Sequence, residues 1–203
     1  LKGGHLNITA MPAKDYLWAR NTLTQRAIGP VSTTTVTLDA SKLKDGDIAG
    51  LAVLNMPYAY IGVEKSGKSL RLKWYDQNGN KTEVANLSAT TVYLRMTGDF
   101  DNATGTLLYS IDGKEFKQMG GEILMPYQLK TFQGARLSMF AYNTLGKQGG
   151  VAAFDDWQVD EPMADRSGNL PIGKVIRLCN LNDGSYAFVH KQGMLHHCGK
   201  GSN

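Results

Sequence analysis

Carboxylates are the residues of this chain that could support acid–base chemistry. Hydrolysis of a glycosidic bond needs two carboxyl groups about 5–9.5 Å apart across a cleft. Turn segments, where an aspartate accepts hydrogen bonds from the local backbone, contain several of the acids: Asp45, Asp47, Asp99, Asp101 and Asp112. Several glutamates have no obvious paired acid: Glu64, Glu83, Glu115 and Glu122. No nucleophile elbow and no zinc-protease helix motif appears, so the sequence predicts no catalytic centre.

The two cysteines and two of the histidines lie near the end of the sequence. Cys198 follows His196 and His197, and Cys179 stands alone upstream. A zinc ribbon needs Cys-x-x-Cys pairs, and there are none. Three close donors without a further spaced pair are weak evidence for a metal site. A disulfide or two free thiols is the preferred interpretation.

Aromatic and arginine side chains occupy positions that alternate with apolar ones. Such a face is typical of either a ligand site or an interface with another domain, and the sequence leaves both open. If the strands are neighbours, the residues form one stripe on an outer face. The candidate binding residues are Tyr58, Tyr60, Arg71, Tyr75, Tyr93, Arg95, Arg136, Phe140 and Tyr142.

The elements that would position these residues are strands. Leu70, Leu72 and Trp74 alternate with polar or aromatic neighbours. The same alternation with a period of two recurs at 92–96 and 135–142. Such a pattern indicates sheets with one face in a core, and Trp74 belongs to that face. Asn78-Gly79 and other turn pairs favour hairpins, and no long amphipathic helix is visible. The sequence therefore predicts an all-β fold, a two-sheet antiparallel sandwich of the jelly-roll type.

A change in composition marks one domain boundary. After Trp157-Gln158-Val159 the chain becomes polar, with Pro162 and Pro171. We expect a sandwich domain over 1–160, a linker over 161–173 and a hairpin tail over 174–203. The tail is either docked on the sandwich or the start of another module. A lone hairpin is marginally stable in water, which favours docking.

Charge and hydropathy exclude two classes of partner. The net charge is +4, and the basic residues are scattered rather than clustered on one face. Nucleic-acid binding would need a basic patch, so we do not expect it. No stretch of about 18 apolar residues could span a membrane.

Several segments resemble one known family. These are Ala19–Arg26, Gly29-Pro30, Leu43–Leu51, Tyr60–Val63, Tyr109–Phe116 and Phe154–Trp157. Together they are similar to the C-terminal concanavalin-A-like sandwich of glycoside hydrolase family 43 β-xylosidases and α-L-arabinofuranosidases, also classed as a xylan-binding module. The run Ala-Arg-Asn-Thr-Leu-Thr-Gln-Arg carries most of the specificity. The resemblance covers about residues 6–159.

The resemblance implies partners and a cofactor. The catalytic groups would lie on a separate five-bladed propeller that precedes the sandwich, and xylan or xylo-oligosaccharides would be the ligand. A structural calcium ion would lie at the sandwich edge, with Asp155 as the candidate ligand. A secreted or periplasmic location follows from this context.

Two departures from the family pattern concern that calcium ion. Ala153 occupies a position where the family often has aspartate. Family members usually begin with an Asp-Asp-Phe segment and a tryptophan strand, and from the resemblance we expect that segment to lie before Leu1. The leading hypothesis is a non-catalytic carbohydrate-binding or accessory domain. The alternatives are a purely structural domain that completes a neighbour's active-site pocket and, less favoured, an independent glycan-active enzyme.

Overall fold

The computed structural model describes residues 4–131 and 134–161, together with the backbone of three short strands near the C-terminus. Its described part consists mainly of strands, numbered β1–β17 in chain order. Two single-turn 3₁₀ helices occur, Tyr16–Trp18 and Leu129–Thr131. None of the described helices is long and apolar enough to cross a membrane.

Sheet I is the first of the two large sheets. Its strand order is β1-β14-β4-β9-β10-β11, with β12 also paired to β10. All of its strand pairs are antiparallel. Its strands are β1 (Leu6–Thr9), β4 (Val31–Asp39), β9 (Thr91–Asp99), β10 (Thr104–Ser110), β11 (Lys117–Gln118), β12 (Ile123–Leu124) and β14 (Val151–Asp160).

Sheet II packs against sheet I to form the sandwich. Its order is β2-β13-β5-β6-β7-β8, with β3 also paired to β13. The short β2 is parallel to β13, and the other pairs are antiparallel. Its strands are β2 (Met11–Pro12), β3 (Thr22–Arg26), β5 (Asp47–Leu54), β6 (Ala59–Ser66), β7 (Ser69–Asp76), β8 (Lys81–Leu87) and β13 (Arg136–Asn143). The predicted all-β, concanavalin-A-like sandwich is confirmed.

The main core lies between the inner faces of the two sheets. On β9, Val92, Leu94 and Met96 are fully buried, whereas Tyr93 and Arg95 between them are only half-buried. Alternation of this kind places every second side chain in the core. Trp74 is 2% exposed in the same core, as the alternation predicts.

The Asn78-Gly79 hairpin joins β7 to β8, and Asp76 pairs with Lys81 across it. Gly79 and Asn80 both have positive φ, at 82° and 51°. Gly tolerates this region freely and Asn better than most residues. The predicted hairpin is therefore confirmed, but its two residues of positive φ are Gly79 and Asn80 and not Asn78 and Gly79.

A buried carboxylate accepts hydrogen bonds from three separate segments of the chain at one end of the sandwich. Asp47, fully buried at the start of β5, accepts hydrogen bonds from the backbone N–H groups of Lys44 and Gly150, each at 2.7 Å. The Asn143 Nδ2 group donates a third, also at 2.7 Å. A buried charge is tolerated when donors surround it in this way. Asp47 therefore has a structural role, in agreement with the turn interpretation.

The chain divides into two compact units, Leu1–Ala164 and Asp165–Asn203. The second unit contains a three-stranded antiparallel sheet of β15 (Leu178–Cys179), β16 (Tyr186–Val189) and β17 (Leu195–Cys198). It has one strand more than the predicted hairpin. The linker prediction at 161–173 falls almost wholly outside the described residues.

The backbone register of this small sheet bears on the cysteines. Cys179 and Cys198 both pair with Tyr186, from opposite sides. Neighbouring strands lie about 4.8 Å apart, so strands on either side of β16 are about twice that distance apart. A disulfide spans Cα atoms up to about 7 Å apart. The two cysteines therefore lie on strands that are not direct neighbours in this sheet.

Candidate functional site

The outer face of sheet II brings together most of the predicted aromatic residues. Tyr60 on β6 pairs directly with Tyr75 on β7, and Phe140 and Tyr142 lie on β13, two strands from β6. Tyr58 immediately precedes β6 and packs into the same cluster. These strands belong to one sheet, in which β5 lies between β13 and β6.

Small residues occupy the middle of this face. Gly50 on β5 lies between Phe140 and Gly62 in the strand register. Ala52 lies one step along the same face, beside Ser138. At Gly50 a side chain would collide with the backbone of Ile61 and Gly62, so glycine permits close approach of β5 and β6, while Ala52 belongs to the aromatic cluster itself.

Tyr16, in the 3₁₀ turn Tyr16–Trp18, packs onto the outer face of sheet II. Its ring centroid lies 5.0 Å from that of Phe140 and 5.1 Å from that of Tyr58. Its hydroxyl shares a hydrogen bond of 2.6 Å with Ser138 Oγ. The 3₁₀ turn that carries Tyr16 is capped by Asp15, whose carboxylate accepts from the Leu17 N–H. The aromatic face is thus covered by a segment of the same chain.

This cover corrects the expected exposed stripe. Stacking on a sugar needs an accessible ring face, but four of the rings are at most 4% exposed: Tyr58, Tyr60, Phe140 and Tyr142. They form a second small core instead, with Tyr16 at its centre. Tyr75, at the margin, is half-buried and donates to Asn80 Oδ1 at 3.1 Å. Sugar binding by these residues stays a prediction, now centred on Tyr75.

Burial also changes the acidity of the covered phenols. Loss of solvent raises the pKa of Tyr16, Tyr58 and Tyr60 far above the ordinary tyrosine value. Burial likewise raises the pKa of Tyr142 to about 12. These hydroxyls therefore remain protonated at neutral pH and act as hydrogen-bonding groups, not as bases.

Tyr93 and Arg95 lie elsewhere, which is the second correction. Both are on β9, which belongs to sheet I, so they are on the opposite outer face from Tyr60 and Phe140. Period-two alternation separates inward from outward side chains but does not say which sheet a strand joins. The single stripe is wrong for this pair, and any ligand on them would bind a different surface.

Each predicted arginine has a defined partner. Arg71 Nη2 lies 2.8 Å from Glu64 Oε2, and Lys73 Nζ lies 3.0 Å from the other carboxylate oxygen. Arg136 donates to Thr24 Oγ1 at 3.2 Å. Arg95 donates to Thr35 Oγ1 at 2.9 Å, and its guanidinium carbon lies 3.5 Å from the centre of the Phe116 ring. These contacts hold the guanidinium groups in fixed positions on the two outer faces.

Asp155 lies on β14, the strand next to the edge strand β1, and its surroundings do not fit a calcium ion. Its carboxylate is half-exposed, lies 3.1 Å from His5 Nδ1 and accepts a hydrogen bond from the Asp156 N–H. Calcium takes about six to eight oxygen ligands. Among residues 4–131 and 134–161, no group of three His, Cys, Asp or Glu side chains could hold a metal. The calcium expectation stays a prediction that this arrangement does not support.

The backbone at Asp155 is irregular. The register of β14 shifts between Asp155 and Gln158, and Asp156 has a φ of 50°. The bulge borders a cleft of about 590 Å³, whose lining combines apolar side chains such as Leu23 and Trp157 with the two adjacent aspartates, Asp155 and Asp156. Trp157 Nε1 donates to Gln25 Oε1 at 2.8 Å across this cleft. The mostly apolar lining and the hydrogen bond between Trp157 and Gln25 are typical of a packed edge of the sandwich.

The turn aspartates are committed to backbone hydrogen bonds. Asp112 accepts from the N–H groups of Lys114 and Glu115, and these bonds, with one from Ser110, lower its pKa to about 2. Hydrogen bonds from Asn102 lower the pKa of Asp99. A general acid needs a raised pKa, so neither suits that role. The turn interpretation of these acids is confirmed.

One exposed aromatic surface was not predicted from the alternation. Trp18 is 62% exposed at the end of the first 3₁₀ turn, beside Lys14. Its neighbours in the sequence give no period-two pattern, so alternation assigns Trp18 to neither the core nor the surface. Asp15 as a helix N-cap is the one sequence signal that could have indicated a turn here.

Comparison with known proteins gives the chain a family. The model of the beta-xylosidase C-terminal concanavalin A-like domain matches residues 1–160. A Xylanibacter ruminicola protein named "Putative beta-xylosidase" is 27% identical over 122 residues, covering 60% of this chain and 22% of that protein.

Solved structures of glycoside hydrolase family 43 proteins are also similar to this chain. A bifunctional "GH43-CE" protein of Bacteroides eggerthii is 32% identical, with a TM-score of 0.75, over 81% of this chain and 22% of that one. An engineered glycoside hydrolase of family 43, described as both an endo-xylanase and an exo-arabinofuranosidase, is 29% identical, with a TM-score of 0.69. That match covers 79% of this chain and 35% of the enzyme.

The chain thus spans between about a fifth and about a third of these relatives. The matched part is their concanavalin-A-like region and not the catalytic propeller. The chain belongs to the family of beta-xylosidase C-terminal concanavalin A-like domains.

Proposed function

We propose that this chain is a non-catalytic carbohydrate-binding or accessory module of a glycoside hydrolase that degrades xylan or arabinoxylan. The observation that carries the proposal is the family match over residues 1–160. The commitment of the turn aspartates Asp99 and Asp112 to backbone hydrogen bonds supports the absence of catalysis. The solved relative with xylanase and arabinofuranosidase activity supports xylan or arabinoxylan as the ligand class.

The proposed partner within the parent protein is an N-terminal catalytic propeller of glycoside hydrolase family 43. The proposed location is secreted or periplasmic, because polymeric xylan does not cross a membrane. Two half-buried pairs could contact sugar: Tyr75 and Arg71, four residues apart on β7 of sheet II, and Tyr93 and Arg95, two residues apart on β9 of sheet I. Each pair combines a ring with a fixed guanidinium group, as sugar sites require.

Affinity gel electrophoresis with xylan, arabinoxylan and cellulose tests the binding role. We expect retardation on a xylan and less or none on cellulose. Tyr75→Ala and Tyr93→Ala, made separately, should show which sheet holds the polymer. Tyr127→Ala is the matched control, because Tyr127 is 71% exposed and lies outside both pairs. No retardation on any xylan would overturn the binding role.

The alternative is a purely structural module that stabilises the neighbouring propeller and completes its pocket. Burial of the aromatic face under Tyr16 favours this alternative for the residues concerned, since they support the fold directly. Tyr58→Ala or Tyr142→Ala should then alter the stability or activity of the parent enzyme without changing polysaccharide retention. Sugar release by the isolated chain from a panel of glycans would refute both proposals and indicate an enzyme.

A further inference from the structure

The 3₁₀ turn Tyr16–Trp18 presents one side chain to the core and two to the surface. Tyr16 is 2% exposed, whereas Leu17 and Trp18 are 40% and 62% exposed. The Tyr16 hydroxyl bond to Ser138 and the Asp15 cap hold the turn in place. Trp18 is therefore presented by an anchored element and not by a free loop, so little conformational entropy remains to be lost on binding.

One cation lies over the ring of the exposed indole, and a second lines the same cleft. Lys14 Nζ lies 4.6 Å from the centre of the Trp18 ring, and both residues line a cleft of about 540 Å³ with Arg20, Met11 and Pro12. Among the described residues, the lining of this cleft contains no carboxylate. The nearby Asp15 carboxylate is occupied as the helix cap. The polar groups that face a ligand here are thus positively charged.

A ring face beside cations matches one ligand chemistry. The apolar face of a pyranose packs on an indole, and a guanidinium group binds a carboxylate through two parallel hydrogen bonds. Neutral xylose offers the first contact and not the second. A uronic acid, which is a pyranose with a carboxylate, offers both. An acidic protein segment would satisfy the charge but would not need a flat sugar-sized platform.

We infer that the Trp18–Lys14–Arg20 cleft binds an acidic sugar, namely a uronic acid side group on a xylan chain. Trp18 supplies the stacking surface, and Arg20 and Lys14 bind the carboxylate. The inference rests on the proposed function, because it names the part of the polysaccharide that this module recognises. It does not involve the predicted residues on sheets I and II.

The test compares glucuronoxylan with unsubstituted xylan in affinity electrophoresis, and an aldouronic tetrasaccharide with neutral xylotetraose in calorimetry. We expect glucuronoxylan to bind more tightly, and the preference to fall as salt screens the charges. Trp18→Ala and Arg20→Gln should each weaken binding of the acidic ligand by about tenfold, which corresponds to about 1.4 kcal/mol. Tyr127→Ala and Arg26→Gln, both exposed and outside the cleft, should change nothing.

The outcomes separate the inference from the proposed function. Equal retention of both xylans, unaffected by Trp18→Ala, would overturn the inference and leave the binding module standing. Binding of the acidic tetrasaccharide without retention of any polymer would support the cleft and overturn the module's role on polysaccharide. If Trp18→Ala and Arg20→Gln affect only the activity of the whole enzyme, the cleft contacts an acidic neighbouring domain and the inference fails.

Discussion

Tyr16 contacts three other rings and one hydroxyl, although it belongs to a helical turn of only three residues. Its ring centroid lies between 5.0 and 6.4 Å from those of Phe140, Tyr58 and Tyr60. Such a side chain contributes both apolar burial and one buried hydrogen bond. Removing this side chain should therefore lower the free energy of unfolding mainly through lost packing, with a smaller loss from the missing hydrogen bond.

Tyr16→Ala should lower the free energy of unfolding by about 3–5 kcal/mol, the cost of removing a large core ring. Tyr16→Phe should cost about 1 kcal/mol, because it removes only the hydrogen bond to Ser138. Urea unfolding followed by circular dichroism measures both. Tyr127→Phe is the matched control and should have no effect. Equal losses for Tyr16→Ala and Tyr16→Phe would show that packing is not the main contribution.

Asp47 is the second residue whose substitution gives a clear expectation. Asp47→Asn replaces a carboxylate that faces three donors by an amide that brings its own N–H groups toward them. We expect a loss of about 2–3 kcal/mol, since hydrogen bonds to a buried charge are the stronger kind. Thermal unfolding measures it.

Asp45→Asn provides the comparison for that loss. Asp45 is exposed and accepts one N–H bond, from Gly67. Its substitution should cost about 1 kcal/mol or less. A smaller effect at Asp47 than at Asp45 would contradict the structural role.

The tyrosines on the outer face of sheet II should respond to pH as a group, because they are buried in one cluster. Their raised pKa values mean that the folded state favours the neutral form. The stability they contribute is intact below pH 10, where unfolded tyrosines begin to ionise. It is lost as the pH rises from there toward 12, the value for Tyr142.

Alkaline titration checks this expectation. The chain has nine tyrosines. Ultraviolet absorbance of tyrosinate should show that Tyr16 and Tyr60 ionise only with cooperative unfolding, because burial raises the pKa of both. Denaturation in urea should bring all of them to the ordinary value. A single transition near pH 10 in the folded protein would mean that the rings are accessible.

The sandwich should fold without the second unit. Leu1–Ala164 forms one compact unit and contains both apolar clusters, including Trp74 and Phe140. A chain ended at Ala164 should therefore give the far-ultraviolet circular dichroism of a β protein and one cooperative thermal transition. A broad, non-cooperative transition would show that the sandwich needs residues beyond Ala164.

For the molecule as a whole, the sequence predicts the fold better than it predicts the candidate site. Alternation assigned Val92, Leu94 and Trp74 to the core because inward and outward positions follow directly from strand geometry. Turn pairs such as Asn78-Gly79 located hairpins for an equally local reason. The family resemblance added the concanavalin-A-like class, which alternation alone does not give.

The rest of the site depends on distant pairings that local patterns do not contain. Tyr93 belongs to the opposite sheet from Tyr60 because β9 pairs with β4 and β10. The burial of Phe140 depends on Tyr16, which reaches it from 124 positions earlier in the chain. Neither contact has a signal within a window of a few residues. The outward aromatic positions were identified correctly, and their environment was not.

The cover formed by Tyr16 has a consequence for any ligand of the buried rings. Such a ligand could bind only after the segment from Asp15 to Trp18 had lifted away, so its apparent affinity would be reduced by the small fraction of molecules in the open state. Amide hydrogen exchange at Leu17 and Ala19 would report that opening, because local openings expose single segments without unfolding the whole domain. The fraction of molecules in which the buried rings are accessible to a ligand therefore depends on how often this three-residue turn detaches.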